Sequence, residues 1–233
     1  MQHLTLPQGQ VWFDETLLKE DPVLCFDADF WQQQNALIGS AQGRGTTWFV
    51  RGEKVDMALR HYRRGGLFGK LVADAYWFTG WQQTRSYQEL MLLQKLAQGG
   101  VNVPRPVAAR AIKRGLTYHA DILVEKVPNA QDLVGLLIKQ GLPESVWQQI
   151  GQTVAKMHQL QVNHTDLNAH NILFDEQGQV WLIDFDKCYE QKGKAWQQGN
   201  LDRLLRSFHK EVGKRKIHFN QADWQALMAG YQG

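Results

Sequence analysis

The stretch from His164 to Asp186 constrains this chain more than any other. It reads His-Thr-Asp-Leu-Asn-Ala-His-Asn-Ile-Leu-Phe, then a polar Asp-Glu-Gln-Gly-Gln, then Val-Trp-Leu-Ile-Asp-Phe-Asp. Two short apolar runs, Ile172 to Phe174 and Val180 to Ile183, flank a turn containing Gly178, which predicts a β-hairpin. A hairpin returns to the edge it left. Asp166 and Asn171 before it and Asp184 after it can therefore converge. Two carboxylates and an amide oxygen are hard donors that suit Mg²⁺, an ion that shares its shell with water and phosphate oxygens. Taken alone, Asp-Phe-Asp is an ordinary turn signal.

The joint spacing goes further. Asn171 lies five residues after Asp166, and an apolar strand leads straight into Asp184-Phe185, the arrangement of a kinase catalytic loop and its metal-binding Asp. In that reading Asp166 accepts or orients the acceptor hydroxyl proton, and Asn171 and Asp184 hold Mg²⁺ on the phosphates of ATP. His164 is structural, and Phe185 packs beneath the metal site. Asp186 caps the following loop, and His170 takes a phosphate-facing loop position. Thr165 stands where protein kinases carry arginine, so no obvious cation reads a phosphorylated activation loop. Only 49 residues follow Asp184, without an Ala-Pro-Glu segment. That length does not hold the helices that dock peptide substrates, which points to a small or lipid-linked acceptor rather than a protein.

Upstream segments extend the pattern. Gly43 and Gly45, with Arg44 between them, precede the predicted strand Thr46 to Val50 and suit a loop whose backbone closes on phosphate oxygens. Met-Ala-Leu-Arg (57–60) occupies the place of a kinase Val-Ala-Ile-Lys, giving Arg60 the phosphate-contacting role; guanidinium and ammonium differ in shape and reach. The segment from Thr84 to Gln98 is predicted helical, with Glu89 on the face of Leu92, Leu93 and Leu96. A carboxylate there needs a partner, and Arg60 supplies one. Val107 to Ala111 and Ile122 to Val127 read as strands. Backbone groups around Glu125, where a second lobe begins, suit an adenine edge. Leu133 to Gln140 and Ser145 to Leu160 read as helices, followed by a short helical tail with leucines at 201, 204 and 205. Asp202 there either buttresses the catalytic loop or acts near the helix start. Residues 1 to about 30 read as an N-terminal extension with a short strand.

Composition bounds the alternatives. The net charge of +3 is too small to argue for nucleic acid. Two cysteines do not make a secreted disulfide framework, the N-terminus has no signal-peptide pattern, and no apolar run is long enough to span a bilayer. Between 51 and 70 six basic residues face two acidic ones, followed by the aromatic run Tyr76 to Trp81. This combination suits an anionic membrane surface or lipid, or equally a solvated loop over a buried aromatic cluster. A second basic run, 206–218, adds to the case for an anionic acceptor.

Leu-Arg-His-Tyr-Arg-Arg-Gly-Gly-Leu (59–67), Val-Pro-Arg-Pro-Val-Ala-Ala-Arg (103–110), His-Thr-Asp-Leu-Asn-Ala-His-Asn-Ile-Leu (164–173), Ile-Asp-Phe-Asp-Lys-Cys (183–188) and Asn-Leu-Asp-Arg-Leu-Leu-Arg-Ser (200–207) resemble the bacterial 3-deoxy-D-manno-octulosonic acid (Kdo) kinases of the lipopolysaccharide kinase family. The resemblance implies an α+β, protein-kinase-like fold of two lobes. The N-lobe (1–126, extension included) would hold an antiparallel sheet and one helix; the C-lobe (127–233) would be shortened and mostly helical around the catalytic hairpin. It further implies ATP-dependent phosphorylation of the Kdo 4-hydroxyl on a lipid A precursor, by a peripheral protein at the cytoplasmic face of the inner membrane. Two other readings stay open: another small-molecule or heptose kinase of this fold, and a catalytically silent nucleotide-binding scaffold.

Overall fold

The computed structural model of the chain describes residues 1–42, 45–63 and 74–233. They form two compact units, 1–91 with 105–126 and 92–104 with 127–233. Gly43, Arg44, Arg64 and Lys70, singled out by the sequence, lie outside the described residues.

The first unit is built on an antiparallel sheet. Its elements in chain order are β1 (Gln2–Leu6), β2 (Gly9–Phe13), α1 (Ala28–Gln33), β3 (Leu37–Gln42), β4 (Thr46–Arg51), β5 (Asp56–His61) and β6 (Tyr76–Trp77). They continue with the first half of α2 (Arg85–Gln98), then β7 (Pro106–Arg114) and β8 (Thr117–Glu125). The strands run β1-β2-β7-β8-β5-β4-β3, with β6 also on β8. The first 30 residues do more than the expected extension. β2 pairs along β7 from Gly9↔Ile112 to Phe13↔Ala108, and Val11, Leu18, Cys25, Phe26 and Trp31 are buried together with Val50, Met57 and Leu123. The Trp31 indole N–H donates to Cys25 O at 2.8 Å, satisfying the one polar atom that this ring takes into the core. A five-residue strand among turn residues leaves too short a pattern to read by period.

The second unit contains β9 (Gln131–Asp132), α3 (Leu133–Lys139), α4 (Glu144–Gln159), β10 (Val162–Asn163), β11 (Ile172–Phe174), β12 (Val180–Leu182), β13 (Tyr189–Glu190), α5 (Gln197–Arg215) and α6 (Gln221–Gln232). α3 begins where the Asp132 carboxylate accepts from Gly135 N, an N-cap that stabilises the first turn. α4 buries Trp147, Ile150, Val154 and Met157. The Trp147 ring meets Phe208 of α5 edge-on and Phe219 at a tilt, with centroids 5.4 and 5.5 Å away. α6, absent from the predicted helices, starts at a capping box between Asn220 and Asp223. It reaches α4 through glycine: a Cβ on Gly151 would lie 2.0 Å from Leu227 O, and one on Gly230 would lie 2.0 Å from Gln148 O. The two backbones are in direct contact there, so no apolar stripe marked the helix.

Candidate active site

Two nested antiparallel ladders shape the stretch from His164 to Asp186. β11 and β12 form the predicted hairpin, Ile172↔Leu182 through Phe174↔Val180. Outside it β10 pairs with β13, Val162↔Glu190 and Asn163↔Tyr189. The segments 164–171 and 183–188 are thus held between the same two ladders. Hydrogen bonds close the gap between them: Ile183 N donates to Asn171 O at 3.0 Å, and the His164 ring Nε2 bonds Ile183 O at 3.0 Å.

His164 is fully buried, and its other ring nitrogen accepts from Asp166 N at 3.3 Å. Both nitrogens are therefore satisfied by the neutral Nε2–H tautomer. Burial lowers its pKa, with the carbonyl of Ile183 and the charges of Asp184 and Asp166 opposing. The ring packs on the buried Phe185, centroids 4.7 Å apart. His164 is a strut of the loop and carries no charge.

Asp166 itself is half-buried. Its carbonyl accepts from Asn168 Nδ2 at 2.8 Å and from Asn171 Nδ2 at 3.0 Å. Asn171 is 8% exposed, and with its amide nitrogen used as a donor, its Oδ1 is the atom available to a cation. Asp184 is exposed and adopts left-handed backbone, φ 63°, a conformation that Asp tolerates better than most side chains. It is therefore turned outward immediately after the strand, where Phe185 turns in. One amide oxygen and one carboxylate on a hydrogen-bonded frame fit a hard divalent ion such as Mg²⁺.

The loop rests on residues the sequence did not single out. Asn200 Oδ1 accepts from His164 N at 3.1 Å, and its Nδ2 donates to Asn163 Oδ1 at 2.8 Å. Its Oδ1 also lies 3.3 Å from Nε2 of His158, whose Nδ1 bonds the Tyr231 hydroxyl at 2.8 Å. Ser207 Oγ accepts from Ala169 N at 2.9 Å. Of the two roles open to Asp202, the structure favours the one near the helix start: it is exposed and accepts from Gln198 one turn earlier. Two residues along the helix, roughly 200° around its axis, separate Asn200 from Asp202. His170, expected to face phosphate, pairs with the buried Glu211 at 3.3 Å. Burial works to raise the pKa of Glu211, but the Arg215 and His170 side chains outweigh it and hold the carboxylate below its usual range.

In the first unit Arg60 on β5 meets Glu89 on α2. The Arg60 Nη2 lies 2.5 and 2.6 Å from the two carboxylate oxygens, and Glu89 is 4% exposed. The Tyr62 hydroxyl, on the same strand face, adds a 2.5 Å bond to Glu89. Leu90, Leu92, Leu93 and Leu96 are buried around the same helix. Gly45 directly precedes Thr46, which pairs with Gln42 across β3 and β4. A Cβ at Gly45 would come within 2.9 Å of the Arg63 side chain. Glu125 forms a two-point ion pair with Arg105 at 2.6 and 2.7 Å, and its N–H donates to Arg105 O at 2.8 Å.

Residues 28–231 match the model of the Lipopolysaccharide kinase (Kdo/WaaP) family. A 3-deoxy-D-manno-octulosonic acid kinase of Photobacterium profundum is 65% identical over 232 residues, covering 100% of this chain and 98% of that protein. Kinases of the same description from Vibrio cholerae and Haemophilus influenzae are 62% and 53% identical, covering 97% and 94% of the chain and 95% and 93% of their own lengths. Among solved structures, that of WaaP in complex with acyl carrier protein aligns with a TM-score of 0.64 at 15% identity, over 95% of this chain and 88% of that one. With this match spanning nearly all of its length, and with a kinase-type loop inside it, the chain is a member of the lipopolysaccharide kinase (Kdo/WaaP) family.

Proposed function

We propose that the protein transfers the γ-phosphoryl group of ATP to the 4-hydroxyl of Kdo on a Kdo-bearing lipid A precursor. The observation that carries this reading is the hydrogen-bonded frame that sets Asp166, Asn171 and Asp184 on one pair of ladders. Near-full-length identity to Kdo kinases supplies the acceptor. Asp166 takes the proton of the acceptor hydroxyl as its oxygen bonds to phosphorus and the bond to the β-phosphate oxygen breaks, releasing ADP. Asn171 and Asp184 would hold Mg²⁺, which would supply positive charge against the phosphates. Arg60, fixed by Glu89 and Tyr62, contacts the nucleotide phosphates. Gly45 lets the backbone close on them, and the Glu125 carbonyl takes the adenine edge. The test is transfer of labelled phosphate to Kdo-lipid and to its 4-deoxy analogue. Labelling of the first alone is expected; equal labelling of both would overturn the assignment of the hydroxyl.

No helix among the described residues is long and apolar enough to cross a membrane. We infer peripheral attachment to the cytoplasmic face of the inner membrane, where a lipid-linked acceptor resides. Trp77 and Leu116, 67% and 74% exposed, support this reading. They adjoin one another at one end of the sheet, since Trp77 pairs with Thr117. Lys113 and Arg114 are exposed on the same β7–β8 hairpin. Indole at headgroup depth and cations against anionic lipid form an interfacial pairing.

A further inference from the structure

The first unit carries a second cluster of ligating side chains that phosphoryl transfer does not use. His61 on β5 stands opposite Asp121 on β8, and His119 is two residues from Asp121, on the same face of that strand. Asp74 approaches both imidazoles with one oxygen: its Oδ2 lies 3.1 Å from His61 Nε2 and 3.2 Å from His119 Nδ1. Donor atoms of the three residues all fall within 4.8 Å of one another.

The His61 Nδ1 lies 2.7 Å from Asp121 Oδ1, and Asp121 is 5% exposed and further held by Arg110 Nε at 2.9 Å. That contact fixes the imidazole with its Nε2 directed at Asp74. The His119 ring stands alongside, with centroids 6.3 Å apart, so two ring nitrogens and one carboxylate oxygen converge on a single point.

We propose that His61, Asp74 and His119 bind a single divalent transition-metal ion of the Zn²⁺ class. Two imidazole nitrogens and a carboxylate oxygen are a Zn²⁺ ligand set that leaves a fourth position for water. A tetrahedral ion with bonds of 2.0–2.1 Å separates its ligands by about 3.3 Å, close to the 3.1 and 3.2 Å between Asp74 and each imidazole, with the two ring nitrogens within 4.8 Å of each other. Asp121 supplies the outer carboxylate that orients a ligating histidine. The side chains of His61, Asp74 and His119 are 33%, 39% and 22% exposed, so an ion enters without unfolding. Its role is to tie residue 74 to the strand that carries Arg60, separately from the oxygen site at Asn171 and Asp184.

The experiment titrates the full chain with Co²⁺, a visible stand-in for Zn²⁺, in excess Mg²⁺ and without nucleotide. One equivalent should bind with the d–d bands of a low-coordinate nitrogen–oxygen site, and Zn²⁺ should displace it. Asp74→Asn and His119→Ala should abolish the bands, and Asp121→Asn should weaken binding about 10- to 100-fold. Asp74→Asn replaces a partly exposed carboxylate with its isostere, so the test does not depend on a variant that might misfold. Failure of the wild type to bind, or equal bands in wild type and Asp74→Asn, overturns the proposal and leaves an ion-pair network held by protons. Either result is independent of phosphate transfer.

Discussion

At the residue scale, the pair between Arg60 and Glu89 links stability to the nucleotide contact proposed for Arg60. Removing the guanidinium leaves a carboxylate with 4% exposure that still accepts from the Tyr62 hydroxyl. Arg60→Ala should therefore cost on the order of 1–3 kcal/mol in a denaturant melt as well as raise the KM for ATP. Tyr62→Phe should cost less and leave the KM nearly unchanged. Unchanged stability in Arg60→Ala would mean that the pair is not formed in solution. His158 gives a pH signature. Burial lowers its pKa from 6.5 to about 4, partly offset by the Asn200 bond. The unfolded chain therefore takes up a proton between these values that the folded chain refuses. Stability is fully present above pH 6.5 and should fall by about 3 kcal/mol as pH drops to 4, with His164 shifted in the same direction. Urea midpoints at pH 7 and pH 4.5 check this, and His158→Gln should flatten the difference.

At the element scale, the α4–α6 crossing is the sharpest structural expectation. Gly151→Ala and Gly230→Ala each drive a methyl group into backbone, so each should destabilise by about 1–3 kcal/mol. Gly213→Ala in α5, where a Cβ meets nothing within 4 Å, should instead stabilise by about 0.5–1 kcal/mol through helix propensity. Thermal midpoints that move the same way in all three would contradict the packing. The same crossing explains what the sequence hid. α4, with Val146, Ile150, Val154 and Met157 at helical spacing, and the hairpin, with two apolar runs around Gly178, were legible because side chains bury them. α6 was not, because glycine backbones make its contact. The loop's frame was partly legible: spacing identified Asp166, Asn171 and Asp184, and an apolar face identified Glu89. Asn200 and Ser207 were not, since polar residues on an amphipathic helix look solvated until the buried amide that each one satisfies is known.

At the scale of the whole molecule, a net charge of +3 gives little general attraction to anionic lipid. The proposed attachment therefore rests on local features such as the end of the β7–β8 hairpin. Each basic residue at a membrane surface contributes about 1 kcal/mol. Lys113→Glu with Arg114→Glu should therefore weaken sedimentation with anionic vesicles more than tenfold, and Trp77→Ala should weaken binding to neutral and anionic vesicles alike. Arg63→Glu tests the basic run that follows β5. Unaltered binding in all of these variants would remove the membrane reading and leave the phosphotransferase untouched.

The central claim is that Asp166 takes the acceptor proton on a frame that also presents Asn171 and Asp184. Single-turnover transfer from ATP to Kdo-lipid, compared between wild type and Asp166→Asn at matched thermal stability and ATP affinity, tests it most directly. A loss of about 10²- to 10⁴-fold in the transfer rate is expected. Equal rates in the two proteins would contradict the account.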